Sequence, residues 1–421
     1  MEPELTHGNL RSATHLGERP RLRDLEAIPF EQDGQATVLL RDPLQIGDQA
    51  VAVVPDFYWL MLLIDGTRTV DQLQREFSRR IGQPFQIDRL TALLEQLDGL
   101  LFLDNERFRD QKSRVVEEYR AQSVRPSSHA GISYPESRDE TSRMLSSLYV
   151  HPGGAGLAGT PCDRGVEALI APHIDLRLGG PTYTHAYRYL KESVLPERFV
   201  ILGIGHMGLP DFFSISPKDF RTPLGIARCD REYVAEVERV LGPETFAEDL
   251  THRNEHSIEF QVLFLQHLLE DRKFSIVPIL TSFSYRDVRG NHRFETSFRR
   301  LLDALDRAAG SSPKRTCYVA SVDLAHLGPR YGHECAPDSA AVEETLERDR
   351  ALLRTVAAGD SERFLACIEE ERNERQVCGF SAIYTLLRLL PDARGRMLAQ
   401  GHCRMDESGS VVTYASLAFT S

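Results

Sequence analysis

Three histidines stand just after runs of strand-forming residues. They are His173 in Ala171-Pro172-His173-Ile174-Asp175, His206 in Leu202-Gly203-Ile204-Gly205-His206, and His326 in Ser321-Val322-Asp323-Leu324-Ala325-His326. Imidazole is the commonest protein ligand for transition metals, and a cluster of it with a thiolate or carboxylate holds divalent iron, copper or zinc. One histidine in such a place is more often a hydrogen-bonded structural residue. Three argue for convergence, because ligands in open α/β sheets bind outside the carboxyl ends of the strands.

Cys378-Gly379 precedes the apolar run 380–390. A cysteine at a helix N-terminus is expected to have a lowered pKa, favouring the thiolate for metal binding or nucleophilic attack. The bland alternative is a small buried core residue, as most free cysteines are. The other six cysteines lack such a position, and Cys403, beside His402, is the nearest rival. Asn254-Glu255-His256-Ser257-Ile258-Glu259 opens a long apolar helix, with His256 and Glu259 on one face at i,i+3. Two readings stay open there. The acidic residues could complement the helix dipole, or His256 could be a general acid–base facing the same cleft.

Positioning these groups requires a sheet, and the chain supplies one. Residues 166–171, 199–203, 274–280, 317–321 and 411–419 are apolar runs of strand length. Such runs suit strands buried on both faces of a mostly parallel sheet. Helical patterns lie between them at 231–241, 256–270, 296–308, 340–357 and 379–390. The fold class expected is α/β, with flanking helices, over residues 129–421. Ahead of it, residues 25–110 predict a small winged-helix-like α+β module. Its strands are 38–40 and 51–54, and 57–64 is a buried helix. Thr69 caps a second helix and Asp88 opens a third, with a closing strand and hairpin at 99–105. Residues 1–24 read as a flexible lead and the charge-rich stretch 111–128 as a solvated helix running into a linker.

The 421 residues are 41% hydrophobic and 27% charged, which excludes collagenous and wholly disordered classes. A net charge of −12 argues against a general polyanion binder, so no nucleic-acid partner is expected. The longest apolar run, 57–64, is far below the roughly 20 residues of a bilayer span. The first twenty residues have no apolar core of a secretory signal, and none is expected. Seven cysteines scattered without a CxxC pair fit reduced thiols, hence a cytoplasmic location.

Taken in order, several strings resemble the MEMO family, whose bacterial and archaeal members are called AmmeMemoRadiSam system protein B. They are His129-Ala130-Gly131-Ile132-Ser133-Tyr134, Ala171-Pro172-His173, Leu202-Gly203-x-x-His206, Glu255-His256-Ser257-Ile258-Glu259, Asp323-Leu324-Ala325-His326-Leu327-Gly328 and Cys378-Gly379. The resemblance implies a fold similar to class III extradiol dioxygenases, with metal ligands at His173, His206 and Cys378. It also implies that His256 and His326 line the same cleft, with Asp323 beside it, and that the metal is iron or copper engaged in redox chemistry. Three departures concern the pocket walls: Ile174-Asp175-Leu176-Arg177 adds charge after the first histidine, Met207 follows His206 in place of a second histidine, and Ile204-Gly205 stands for Pro-Ser. The module at 25–110, through Leu63-Ile64-Asp65-Gly66-Thr67-Arg68-Thr69-Val70, is similar to PqqD-like domains, which grip a peptide by adding it to a strand edge. A generic helix-turn-helix or a private packing module are the alternatives.

Three functions follow as expectations. The first is a non-haem iron or copper oxidoreductase, with His256 or His326 moving protons, acting on a peptide together with a radical SAM partner enzyme. The second is a non-catalytic scaffold that binds a peptide or partner through a vestigial site. The third is a zinc hydrolase with Glu255 or His256 as base.

Overall fold

The computed structural model describes residues 17–420 apart from 33, 48, 210, 244–248 and 271. Residues 1–16 of the expected flexible lead lie outside the described residues. The rest of that lead is tied down, since Leu22 N–H donates to Ile64 O at 2.6 Å and Arg23 N–H to Phe102 O at 3.0 Å. Contacts divide the chain into two compact units, Met1–Ala121 and Gln122–Ser421.

In the first unit, β1 (Glu26–Gln32), β2 (Gln35–Arg41) and β3 (Ala50–Val53) form an antiparallel sheet in that order. Four helices follow: α1 (Pro55–Leu63), α2 (Val70–Ile81), α3 (Ile87–Gly99) and α4 (Glu106–Ala121). Thr69 and Gln72 exchange side-chain and backbone hydrogen bonds in a capping box that starts α2. Leu60, Leu73, Phe77, Leu90, Leu94 and Leu97 bury the inner faces. Of the strand and hairpin expected at 99–105, the described residues form an isolated antiparallel bridge between Leu103 and Leu22. Leu100 N–H donates to Gln96 O and Phe102 N–H to Leu97 O, while Leu101 turns left-handed at φ 62°. This reversal satisfies the last carbonyls of α3 and ends the helix.

The second unit begins with β4 (Val124–Arg125), α5 (Arg138–Val150), β5 (Ala168–Ala171), α6 (Leu176–Lys191) and β6 (Arg198–Ile204). Then come β7 (Phe213–Ile215), β8 (Asp219–Thr222), β9 (Gly225–Cys229), α7 (Arg231–Leu241), α8 (His256–Leu269) and β10 (Ser275–Thr281). After α9 (Tyr285–Gly290), α10 (His292–Gly310), β11 (Thr316–Ser321) and β12 (His326–Leu327), the chain forms α11 (Ser339–Ala357), α12 (Ser361–Glu370) and α13 (Phe380–Leu389). It closes on β13 (Arg394–Arg404) and β14 (Val411–Thr420). The helix expected at the start of 111–128 is the end of α4, whereas the linker expected after it holds β4, in which Arg125 is fully buried.

One 11-stranded sheet runs β12-β14-β5-β11-β6-β10-β9-β8-β4, with β13 on β14 and β7 on β10. The central strands β5, β11, β6, β10 and β9 are parallel. Alternate residues of β6 face opposite cores: Val200 and Leu202 join α7, α10 and α13 side chains, whereas Phe199 and Ile201 join those of α5, α6 and α8. Burial on both faces is why these strands read as unbroken apolar runs. No helix of the described residues is long and apolar enough to cross a membrane.

Candidate metal centre

Strands β5, β11 and β6 lie side by side in the sheet, and their carboxyl ends deliver His173, Asp323 and His206. Cys378 arrives from another element, the turn before α13. Its N–H donates to Leu324 O at 3.3 Å, and Gly379 N–H donates to Asp323 O at 3.0 Å. A side chain at Gly379 would place Cβ 2.6 Å from Val322 Cβ, so only glycine lets this turn sit on the strand end.

Cys378 Sγ lies 3.4 Å from His173 Nε2, and one ligand atom from each of His173, His206 and Cys378 falls within 4.8 Å of the others. Hydrogen bonding fixes both rings. His173 Nδ1–H donates to Ser321 O at 2.9 Å, and His206 Nδ1–H donates to Glu255 Oε2 at 2.9 Å. A carbonyl and a carboxylate only accept, so each ring carries its proton on Nδ1 and keeps Nε2 for a metal. Two imidazole nitrogens and a sulfur around one point are a donor set for a divalent transition metal. The residues fit the ion.

Glu255 caps α8. Its Oε1 accepts from Ser257 N–H at 2.8 Å and faces His256 Nδ1 at 3.2 Å. The His206 and His256 rings stack at 4.9 Å. Glu255 therefore orients two imidazoles, and burial, which would raise its pKa, is overcome by His206 and His256, which hold it well below the carboxylate range. Burial and the neighbouring His206 push His173 down to about 3. Burial also opposes charge on His206, but Glu255 and Cys378 lift it well above the usual imidazole value. His256 stays well below that value through burial and its imidazole neighbours. Asp323, lifted to about 6 by burial, accepts His173 and Ile174 N–H groups at 3.0 and 3.1 Å. The lowered pKa expected for Cys378 is not found: burial pushes the thiol up, against the hydrogen bond with His206. A metal that binds here displaces the proton.

The family model for Memo-like proteins matches residues 125–418. The chain belongs to the Memo-like family. A MEMO1 family protein of Aquifex aeolicus is 26% identical over 404 residues, covering 95% of this chain and all of that protein. One from Thermus thermophilus is 28% identical over 334 residues, 79% of this chain and 93% of its own. One from Methanopyrus kandleri is 29% identical over 302 residues, 69% of this chain and 96% of its own.

Not every expected residue of this Memo-like site joins a ligand group. His326 turns Nδ1 to Leu324 O at 3.0 Å and packs its ring on Tyr331, within electrostatic reach of Asp323 and His206. The charge expected from Asp175 and Arg177 is internally cancelled, because Asp175 caps α6 and accepts from Arg177 Nε and Nη2 at 2.9 and 2.7 Å. Sequence reasoning missed two supports. His129 places its ring 5.5 Å from that of His256. Buried Arg125 pairs with Glu259 and donates to Glu255 O at 2.8 Å, bracing the start of α8. Glu259 also accepts from Tyr134 OH and from the backbone N–H of Ser128 and His129, at 2.9 and 3.0 Å for the latter two. Glu259 is thus an anchor rather than a dipole complement.

Proposed function

We propose that this Memo-like chain is a cytoplasmic redox protein in which His173, His206 and Cys378 hold a divalent transition metal, iron(II) in preference to copper or zinc. One observation carries the reading: His173 and His206 each commit Nδ1–H to a fixed acceptor, and one ligand atom from each of them and from Cys378 lies within 4.8 Å of the others. When bound, such a metal supplies one-electron chemistry and open positions for dioxygen or substrate. His256 and His326 take or give a proton at the substrate, with Nδ1 of each held by a neighbouring acceptor. Asp323 holds the backbone of His173 and keeps its ring in place. Glu255 has both oxygens engaged, which makes it a poor base and weighs against a zinc hydrolase.

The substrate in this reading is a peptide captured by the first unit, with a radical SAM enzyme as partner. Support comes from β3, an edge strand, and from a cavity of about 490 Å³ whose lining includes Val54, Phe57, Phe77, Phe85 and Arg89. A strand edge beside a cavity suits a peptide added as a strand with one side chain lodged in it. Protein purified without oxygen should carry stoichiometric iron, and Cys378→Ser and His173→Ala should lose it while keeping the far-ultraviolet dichroism of the parent. Full metal retention by both variants would overturn the proposal.

A further inference from the structure

Helix α8 carries a primary amide, Gln261, on a face otherwise built from Ile258, Val262 and Leu265, and it is fully buried. Burying an amide is unfavourable unless its hydrogen bonds are met. Here they are met by the two strand ends that carry His173 and its acceptor. Gln261 Nε2 donates to Pro172 O at 2.7 Å and to Ser321 Oγ at 2.7 Å. Its Oε1 accepts from Tyr187 OH at 2.7 Å.

The directions of these bonds are forced. Pro172 O only accepts, so the amide nitrogen faces it and the oxygen faces Tyr187. Ser321 OH donates to Ser257 O at 2.5 Å, which leaves its oxygen free to accept from Gln261. Pro172 immediately precedes His173, and Ser321 O is the acceptor of His173 Nδ1–H. One amide therefore braces both partners of the bond that decides which nitrogen of His173 faces Cys378.

We infer that Gln261 is a positioning residue: through Pro172 and Ser321 it holds His173 as the Nδ1–H tautomer with Nε2 turned to Cys378. This rests on the reading of His173 as a metal ligand, and it adds a residue that touches no metal. Loss of the acceptor that orients a ligating imidazole commonly changes metal affinity 10–100-fold, and Gln261 holds that acceptor's residue.

The test uses two readouts on the full chain: nitrogen-15 NMR of the His173 ring in metal-free protein, and cobalt(II) titration followed by the thiolate-to-cobalt absorption. Gln261→Met should populate the Nε2–H tautomer of His173 and weaken cobalt(II) about 10–100-fold. Ser321→Ala keeps the carbonyl acceptor and removes one brace, so it should give a smaller change of the same sign, and it serves if Gln261→Met does not fold. Tyr187→Phe, which leaves both braces intact, should change neither readout. Unaltered His173 tautomer and cobalt(II) affinity in both Gln261→Met and Ser321→Ala would overturn the inference. If the parent takes no cobalt(II), the metal reading fails by itself, and the NMR measurement still decides the role of Gln261.

Discussion

The two ends of the same central strands carry polar groups used in opposite ways. At the amino ends, Asp230 Oδ2 accepts from Arg198 Nε, Ser275 Oγ and Lys314 Nζ at 2.8, 2.8 and 2.9 Å, and Oδ1 accepts from Tyr233 N–H. Arg198 also lays its guanidinium over the Tyr233 ring. At the carboxyl ends, His173, His206 and Cys378 converge, with one ligand atom of each within 4.8 Å of the others. Opposite charges in contact complete each other and have no need of a ligand. Converging donors are incomplete without one. The difference separates architecture from candidate chemistry better than burial does, because His173 is as buried as Asp230.

The largest effect that tests this contrast belongs to the amino end. Arg198→Met leaves Asp230 buried without its strongest partner, and breaking a buried pair from one side costs about 3–5 kcal/mol. Urea unfolding should report that loss, while metal bound per folded chain stays at the parental level. A variant that loses metal affinity in proportion to stability would dissolve the distinction between the ends.

Pairing also occurs at the carboxyl end, which makes Arg125–Glu259 a sharper case. Burial works against ionisation of Glu259, but Arg125, His129 and the hydrogen bonds to Ser128 and Tyr134 hold its pKa down to about 2. A carboxylate depressed in the folded state stabilises above its unfolded value, about 4.3, and that contribution disappears as pH falls through the folded value. A shift of that size corresponds to about 3 kcal/mol. Glu259→Gln should thus be less stable than the parent at pH 7, and the gap should narrow as pH falls from about 4.3 to about 2. A gap that stays constant across this window would show that the charge of Glu259 is not what matters.

The strands and their chemical termini were legible in the sequence because burial on two faces leaves an apolar run, and histidines after such runs are conspicuous. Residues 231–241 carry a helical pattern and form α7 with those bounds. Helix α6 has no clear signature in the sequence, since Gly179-Gly180-Pro181 interrupts its pattern. A Cβ at Gly179 would lie 2.2 Å from Ile174, and one at Gly180 would lie 2.7 Å from Leu148, so the glycines are there for close packing. β13 escaped notice because it is half-exposed and polar along its length. The adjacency of β5, β11 and β6 is a property of crossovers, which local pattern does not encode. Arg125 was hidden for a related reason. It sits in a charged stretch, and its partner Glu259 is 134 residues away.

Between a closed ion cluster and open metal ligands stands Glu255, a paired charge whose partner is itself a ligand. Glu255→Gln keeps the shape and weakens the acceptor for His206 Nδ1–H. Metal affinity should fall about 10–100-fold, equivalent to about 1.4–2.7 kcal/mol. Isothermal titration with cobalt(II) measures it. A change below threefold would place His206 under the control of its backbone instead.

The smallest effect is expected at the exposed pair beside the first histidine. Arg177 is 62% exposed, and Asp175 keeps its hydrogen bonds from Arg177 N–H and Ser133 Oγ whether or not the guanidinium is present. Exposed ion pairs contribute about 0–1 kcal/mol, so Arg177→Ala should change stability within that range. Its effect on metal affinity should be correspondingly slight and should shrink further in high salt, where exposed charges are screened. A large, salt-insensitive loss of metal on Arg177→Ala would mean that the guanidinium reaches the ligands rather than closing on Asp175, and the wall of the site would then belong with its chemistry.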